Sequence, residues 1–299
     1  MTAPLRSLRD TWVTPMEPRA SHGASLGVAQ STVGHHAVLG GVFCRIEAAA
    51  ASSCGEQRGS NEDAHSRLGD DGQLFIVADG VGGGAMAALA SRELVSHLHS
   101  ALDGQRIDDD RIARAVLSAD KAVARRIGQV TDSPGAATFA LCAPANLFAS
   151  RWLVAWVGDC RVYRLASRAD NDIELLTRDD TFRHLNETPP SGGQLDDPAR
   201  MVGNGATLGA SVGIHELAHG DLLVLCSDGV HKHLATSDWN RLLRQPAGLV
   251  QHCQTLIATA RANGSVDDAT VLLLRRVSLP RPRWMARLTQ TGRAGRSDR

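Results

Sequence analysis

Five aspartates in this sequence stand at or beside the ends of apolar runs. They lie in the contexts SNEDAH, FIVADGV, WVGDCR, LCSDGV and VDDATV, and they are Asp63, Asp79, Asp159, Asp228 and Asp267. Carboxylates that converge on one place repel each other unless cations lie between them. Hard divalent ions such as Mg²⁺ and Mn²⁺ take carboxylate, carbonyl and water oxygens as ligands. The pattern therefore predicts a site that holds more than one divalent ion.

Two of the aspartates share a strand–Asp–Gly arrangement. Asp79 follows a buried strand predicted at 74–78 and precedes glycines and a helical pattern, and Asp228 follows a second buried strand in DLLVLCSDGV. Glycine lets a backbone carbonyl, such as that of Gly80, reach the same ion as the carboxylate. Two ions about 4 Å apart can hold a hydroxide between them and stabilise an in-line displacement at phosphorus. This favours hydrolysis of a phosphate ester by metal-bound water.

The polar loop CGEQRGSNEDAH brings Arg58, Asn61, Glu62 and Asp63 close together along the chain. A guanidinium is a planar fork of donors that would grip phosphoryl oxygens. The alternative for a lone Arg near an Asp is a surface ion pair of little energetic value. Because the loop lies just before the strand that ends at Asp79, we predict that Arg58 belongs to the site.

Apolar runs and periodic patterns predict the elements that must position these side chains. Helices are predicted over 90–104 and 112–127, with apolar residues on one face. Strands predicted at 151–157 and 161–166 are separated by three residues, as in a tight hairpin that would display Asp159 at its tip. The other predicted strands are 42–48, 138–143, 173–177, the run before Asp228 and 269–274, and the other predicted helices are 239–243 and 249–262.

Composition divides the chain of 299 residues, which is near the limit for one large domain. Residues 1–41 have weak periodicity and are predicted to be a loosely ordered extension. Residues 179–213 are polar and rich in Pro and Gly, and their length favours a mobile flap over a site. Residues 278–299 form a basic tail that could contact an acidic partner or surface.

Charge is distributed unevenly, although the chain has 32 basic and 32 acidic residues. From Arg275 onward there are eight Arg and one Asp, a net charge of +7, which leaves −7 for the remainder. A mildly acidic body argues against a dedicated nucleic-acid site.

Cysteine usage and the length of apolar runs indicate the compartment. The six cysteines form no CxxC pair, and several lie inside apolar runs. This favours reduced core thiols over disulfides or a zinc site. The first residues contain no apolar signal segment, and no run is long enough to cross a bilayer. We therefore predict a cytoplasmic protein without a transmembrane segment.

Six motifs together resemble the type 2C family of metal-dependent serine/threonine protein phosphatases, in its bacterial form. RGSNEDAH, FIVADGVGGG, WVGDCRVYRL, LTRDD, LCSDGV and DDATVLLLR occur in the order and approximate spacing of that family, between residues 43 and 276. The resemblance implies an α+β fold, a four-layer α-β-β-α sandwich with two central antiparallel sheets and a metal cleft at one end. It also implies a catalytic domain at 42–277 that acts on phosphorylated proteins, the products of a serine/threonine kinase.

The same resemblance implies a role for each site residue. The ligands of two Mn²⁺ or Mg²⁺ ions would be Asp63, Asp79, the Gly80 carbonyl, Asp228 and Asp267. Glu62 would act on these ions through ordered water, and Arg58 would bind the substrate phosphate. Asp159, with Asp228, would bind a third metal that some members use. The implied catalytic set is Arg58, Asp63 and Asp79.

Several positions depart from the family pattern. Val81 stands where animal members carry a His that is a candidate general acid, so water or His65 would protonate the leaving alkoxide. His231 and His233 are interpreted as solvated loop residues and not as ligands. The remaining departures are Ala137 and Thr138 for paired threonines, Cys160 for Ser, and Asp268 for Asn, which still offers an oxygen.

Two other functions fit part of the pattern. Residues 80–85 match the GxGxxA form of a dinucleotide-binding turn. That fold would place a strand where a second helix is predicted, and it would set the Asp79 carboxylate against a pyrophosphate. A non-catalytic module that docks or senses phosphorylated partners would be expected to lack a metal carboxylate, and none is missing. An active phosphatase is therefore the prediction.

Overall fold

The computed structural model describes residues 33–40 and 45–277, with gaps at 57, 69–72, 103, 105–106, 169–171 and 208. Its strands, in chain order, are β1 Val33–Gly40, β2 Arg45–Ser53, β3 Ala64–His65, β4 Phe75–Val81, β5 Ala136–Pro144, β6 Arg151–Val157, β7 Arg161–Leu165, β8 Glu174–Leu175, β9 Ser211–Glu216, β10 Leu222–Cys226 and β11 Ala269–Val277. Its helices are α1 Ala85–Leu102, α2 Asp109–Gly128, α3 Phe182–Leu185, α4 Asp228–His231, α5 Thr236–Leu243 and α6 Leu249–Ala262.

The strands form two antiparallel sheets, with the orders β1-β2-β11-β10-β7-β8 and β3-β4-β5-β6-β9. Strands β5 and β10 lie inside their sheets and are almost entirely buried. Continuous apolar sequence is expected for a strand that is covered on both faces. This explains why these strands lack the alternation of a strand with one face in water.

The sheets pack face to face, and strand β2 shows how they share residues. Its Ala48 and Ala50 lie in the apolar core between the sheets, whereas Ala49 and Ala51 lie in the core on the opposite face. The alternation follows from the period of two in a β-strand. Each face of the strand therefore contributes to a different core.

Helices cover the two outer faces. Helices α1 and α2 pack on the five-stranded sheet through residues that include Leu94 and Val116, and α5 and α6 pack on the six-stranded sheet. Helix α2 begins where the Asp108 side chain accepts a hydrogen bond from the Arg111 N–H, with Asp109 in its first turn. The result is the predicted four-layer α-β-β-α sandwich, an α+β fold, which is confirmed.

The N-terminal boundary differs from the prediction. Residues 33–40, assigned to the loosely ordered extension, form β1, which pairs along its length with β2. The first strand predicted at 42–48 instead begins at Arg45 and continues to Ser53. Backbone pairing with a neighbouring strand organises a segment whose side chains carry little periodic signal. Residues 1–32 and the basic tail at 278–299 lie outside the described residues.

The segment predicted as a flap, residues 179–213, is tied to the sandwich in its second half. The backbone N–H and carbonyl of Val202 each bond to Ala137 at 2.9 Å. Val202 is itself part of the core beneath α1 and α2. Strand β9 begins within the segment and pairs with β6. This strand was not predicted, because SVGIHE is weakly apolar and none of its residues is buried; the mobility of the segment stays a prediction.

Two predictions about the environment of the chain can be compared with the described residues. Cys142, Cys160, Cys226 and Cys253 are buried with free thiols, as predicted for core cysteines. None of the helices in the described part of the chain is both long and apolar enough to span a bilayer.

Candidate active site

Asp79 and Asp228 come into contact where the two sheets face each other. Asp79 lies in β4 opposite Thr138, and Asp228 is the first residue of α4, directly after β10 of the other sheet. Their side chains share a hydrogen bond. Burial, and then the charges of Asp228 and Asp63, raise the pKa of Asp79 well above its usual value. The opposite directions of the two pKa shifts favour Asp79 as the donor of this bond.

Asp63 lies in the same cluster. Its Oδ2 accepts a hydrogen bond of 2.7 Å from the Ser227 hydroxyl, while its Oδ1 is buried with no hydrogen-bond partner among the described residues. The Oδ1 of Asp228 is buried and unpartnered in the same way. Burial raises the pKa of Asp63 to about 8. Buried oxygens without partners are costly, so two of them on carboxylates whose charges affect each other indicate a place for cations.

Asp159 is linked to the cluster by a lysine that was not among the predicted site residues. Lys232 Nζ lies 2.7 Å from Asp228 Oδ2 and 3.2 Å from Asp159 Oδ2. Burial and the Asp228 charge raise the pKa of Asp159 to about 7, against the effect of Lys232. Burial would also raise the pKa of Asp228, but the charge and hydrogen bond of Lys232 outweigh it and the net shift is downward.

Two signals in the sequence could have identified Lys232. It follows Asp228 by four positions, a spacing that brings side chains together over one helical turn. It is also one of only two lysines in a chain with 30 arginines.

Arg58 contacts two predicted site residues. Its guanidinium pairs with Glu62, and its Nη2 lies 2.5 Å from Asp267 Oδ1. Burial alone would lower the pKa of Arg58, but the hydrogen bond to Glu62 and the charge of Asp267 raise it. The residue lines a cleft of about 400 Å³ together with Gly59, Glu62, Gly84, Val266 and Asp267. An anion entering this cleft would meet the guanidinium directly.

Glu62 and Asp268 hold the Arg58 loop in place. Glu62 Oε1 accepts a hydrogen bond of 2.5 Å from Gly84 N, while Oε2 pairs with Arg58. Asp268, which is 2% exposed, accepts from Gly55 N at 2.7 Å and from Glu62 N at 2.8 Å. Asp268 therefore anchors both ends of the loop to β11, a role that sequence reasoning missed. The water-mediated role of Glu62 stays a prediction.

Steric crowding explains why both strand–Asp–Gly units contain a glycine. A Cβ on Gly80 would collide with the carbonyl oxygen of Ala87, and a Cβ on Gly229 would collide with that of Asp268. Gly80 N also donates to Glu62 O at 3.2 Å. The close approach of the backbone, and not a positive φ, excludes a side chain at both positions. The role of the Gly80 carbonyl as a metal ligand stays a prediction.

The interpretation of His231 as a solvated residue is wrong. The short helix α4 turns it inward, where it is buried and its Nε2 lies 2.9 Å from the backbone oxygen of Asp159. Burial lowers the pKa of His231 to about 4, so the ring is neutral.

His65 lies in β3, with Nδ1 2.8 Å from the Ser66 carbonyl oxygen. The departure at Cys160 is accommodated by contact of its Sγ with Thr138 Oγ1 at 3.4 Å.

The donor atoms of the cluster are of the type that hard metal ions prefer, but the side chains are not positioned as a ligand set. Over the described residues, no three His, Cys, Asp or Glu side chains are arranged so that they could hold a metal ion as they stand. Their oxygens are instead engaged by Arg58, by Lys232 or by one another. The donor set nevertheless consists of oxygens, which hard divalent ions require. Two unpartnered buried oxygens and raised carboxyl pKa values show that positive charge would be stabilised here.

The sandwich fold and its acidic cluster define the class of a metal-dependent phosphohydrolase, and comparison with known proteins identifies the family. Residues 52–270 match the family described as Protein phosphatase 2C. The chain belongs to this family. The predicted family and the predicted enzyme are therefore confirmed, in preference to a non-catalytic docking module.

Relatives and solved structures agree with this assignment. The serine/threonine phosphatase stp of Listeria welshimeri is 24% identical over 222 residues, which cover 69% of this chain and 86% of the relative. A PPM Ser-Thr phosphatase of Mycobacterium smegmatis, MsPP, in complex with cacodylate has a TM-score of 0.64 and 25% identity over 80% of this chain and 99% of its own. The catalytic domain of the phosphatase PstP in complex with two manganese ions has a TM-score of 0.65 and 24% identity, covering 78% of this chain and 99% of its own.

Proposed function

We propose that this chain hydrolyses phosphoserine and phosphothreonine monoesters on protein substrates with a pair of Mn²⁺ or Mg²⁺ ions. The observation that carries the proposal is the meeting of Asp63, Asp79 and Asp228, with two buried carboxylate oxygens that have no hydrogen-bond partner in the described structure. These three residues, with Asp267 and the Gly80 carbonyl, would hold the ions. When bound, the ions activate a water molecule and neutralise charge on the phosphoryl oxygens.

The substrate phosphate would bind at Arg58. Its guanidinium lines the open cleft and is held there by Glu62 and Asp267. Exchange of these carboxylates for phosphoryl oxygens keeps the guanidinium paired, since phosphate accepts the same planar fork of donors. The binding of cacodylate, a tetrahedral oxyanion, by the M. smegmatis phosphatase supports such a subsite.

Proton transfer to the leaving alkoxide would come from water. The family position for a histidine holds Val81, and no histidine lines the described part of the cleft. His65 remains the alternative donor. A His65→Gln variant that keeps its kcat between pH 6 and 9 would support water, and a kcat loss of about 10²-fold or more would support His65.

Phosphopeptide hydrolysis tests the proposal. Purified chain with added Mn²⁺ should release inorganic phosphate from phosphoserine and phosphothreonine peptides, and EDTA should stop the release. A phosphotyrosine peptide serves as the matched substrate control and should react slowly. Asp110→Asn, which changes an exposed residue in the first turn of α2, serves as the protein control. A chain that binds phosphopeptides but releases no phosphate with either Mn²⁺ or Mg²⁺ would overturn the proposal.

The origin of the substrates and the compartment follow as part of the same proposal. A phosphatase of this family acts opposite a protein kinase, so the substrates would be products of a serine/threonine kinase in the cytoplasm. The basic tail at 278–299 would contact an acidic partner or surface.

A further inference from the structure

One cation already contacts the acidic cluster from its solvent side. Lys232 Nζ is within hydrogen-bond distance of Asp228 Oδ2 and of Asp159 Oδ2, at 2.7 and 3.2 Å. These are the two carboxylates to which the family resemblance assigns a third metal ion. A lysine ammonium is a compact point charge with three donors, so it can bridge carboxylates that a planar guanidinium would engage from one side.

Local structure fixes the ammonium at this place. Lys232 follows the four residues of α4, and its backbone N–H bonds to Asp228 O at 3.1 Å, which closes one helical turn. The neighbouring His231 bonds through Nε2 to the backbone oxygen of Asp159. The same turn therefore places the backbone of Asp159, Asp228 and Lys232 so that the ammonium can reach both carboxylates.

The composition of the chain makes this lysine unusual. Basic residues are arginine at 30 positions and lysine at only two. The other lysine, Lys121, is an exposed residue of α2. Both lysines are exposed, so lysine is rare on this surface and one of its two occurrences contacts the acidic cluster.

We propose that the Lys232 ammonium takes the place of a third divalent ion between Asp159 and Asp228, so that this enzyme works with two metal ions and a built-in cation. The inference rests on the proposed function, because it presupposes the metal pair. One positive charge between two carboxylates leaves less negative potential than the bare pair would. A further divalent ion would have to displace the ammonium from both carboxylates, and the loss of these two contacts weakens the binding of that ion.

Metal stoichiometry provides the test, with calorimetric titration of Mn²⁺ as the readout. Wild-type chain should bind about two ions, and Lys232→Glu should bind about three, since it replaces the cation with an oxygen ligand. Lys121→Glu makes the same charge change at an exposed position of α2, outside the acidic cluster, and this variant should still bind about two ions. Lys232→Gln removes the charge with a smaller perturbation and should show a third, weaker binding event. Thermal unfolding of each variant checks that it is folded.

The outcomes separate this inference from the proposed function. Wild-type chain that binds three ions would overturn the role of Lys232 and leave the metal pair intact. The role would also be overturned if folded Lys232→Glu and Lys232→Gln both bound only two. Wild-type chain that binds no ion would overturn the metal pair itself. In crystals grown with Mn²⁺, anomalous difference density should show the same numbers of ions, with Lys232 Nζ still between the two carboxylates in the wild type.

Discussion

The two strand–Asp–Gly units look alike in sequence and differ in the structure. Asp79 lies within a strand that continues to Val81, and three glycines with positive φ then lead into the long helix α1. Asp228 instead opens a short helix that ends beside Lys232. The pKa of Asp79 is raised well above its usual value by burial and by nearby carboxylates, whereas that of Asp228 is lowered.

The difference shows that a local motif does not set its own electrostatics. Both aspartates are near the same carboxylates, and they share a hydrogen bond. Only Asp228 has an ammonium within 2.7 Å. The charge of this one side chain, four residues further along the chain, is the largest of the effects that lower the pKa of Asp228.

The largest effect expected is on turnover. Asp79→Asn and Asp228→Asn should each lower kcat/KM for a phosphopeptide by about 10³-fold or more, because each would remove a metal ligand. Their stabilities should differ, measured by denaturant unfolding without metal. Asn at position 79 keeps a donor for the bond to Asp228, so stability should be unchanged or higher. Asn at position 228 weakens the contact with half-exposed Lys232 and should cost about 1 kcal/mol.

Asp110→Asn serves as the control for both variants and should leave turnover within about twofold of wild type. Near-normal activity of either cluster variant would contradict the ligand assignment. Equal losses of stability would contradict the asymmetry between the two units.

Arg58→Ala extends the comparison to a residue on the substrate side of the cluster. We expect KM for a phosphopeptide to rise by about 10- to 100-fold with kcat little changed, since the guanidinium would contribute uniform phosphate binding. Steady-state kinetics with saturating Mn²⁺ checks this. Arg58→Lys keeps the positive charge but lacks the planar pair of donors, so its KM should lie between those of the wild type and Arg58→Ala. A fall in kcat at constant KM would instead place Arg58 in transition-state stabilisation.

The glycines test what the two units have in common. Gly80→Ala and Gly229→Ala should each destabilise the fold by about 1–3 kcal/mol, because the added Cβ meets a backbone carbonyl that cannot move freely. Gly128→Ala at the end of α2, where a Cβ would meet nothing within 4 Å, should be neutral or slightly stabilising. Denaturant midpoints provide the measurement. A tolerated alanine at position 80 or 229 would show that the backbone packing at that unit is adjustable.

The last prediction concerns the pH dependence of stability, and its effect is small over any one pH unit. Burial raises the pKa of Asp63 to about 8, far above the unfolded value, so the native state binds more protons between about pH 4 and 8. Stability of the metal-free chain should therefore fall as pH rises through this window, by up to about 1.4 kcal/mol per pH unit for one such group. Thermal unfolding in EDTA should show the fall, and Mn²⁺ should abolish it. Asp63→Asn should make the profile less steep, and the raised pKa values of Asp79 and Asp159 should account for the slope that remains; an unchanged slope would contradict the assignment to Asp63.

The order of elements could largely be predicted from the sequence because packing leaves a direct trace in apolar patterns. The predicted strand at 151–157 and the helix at 249–262 coincide with β6 and α6. Strand β9 gave no such trace because it is exposed, and its position is fixed by backbone pairing with β6. The strand β1 was missed for a related reason, since its ladder with β2 depends on the partner and not on its own periodicity.

The sequence alone determined that carboxylates stand at or near the ends of strands, because glycine and apolar residues around Asp79 and Asp228 report local chain geometry. Tertiary structure alone decided how those carboxylates are charged and held. Ser227 donates a hydrogen bond to Asp63, and Asp268 accepts one from the backbone of the Arg58 loop; both bonds join residues from separate elements. The Lys232 ammonium contacts Asp228 across one helical turn. Charge and desolvation depend on distances through space, which sequence order does not encode.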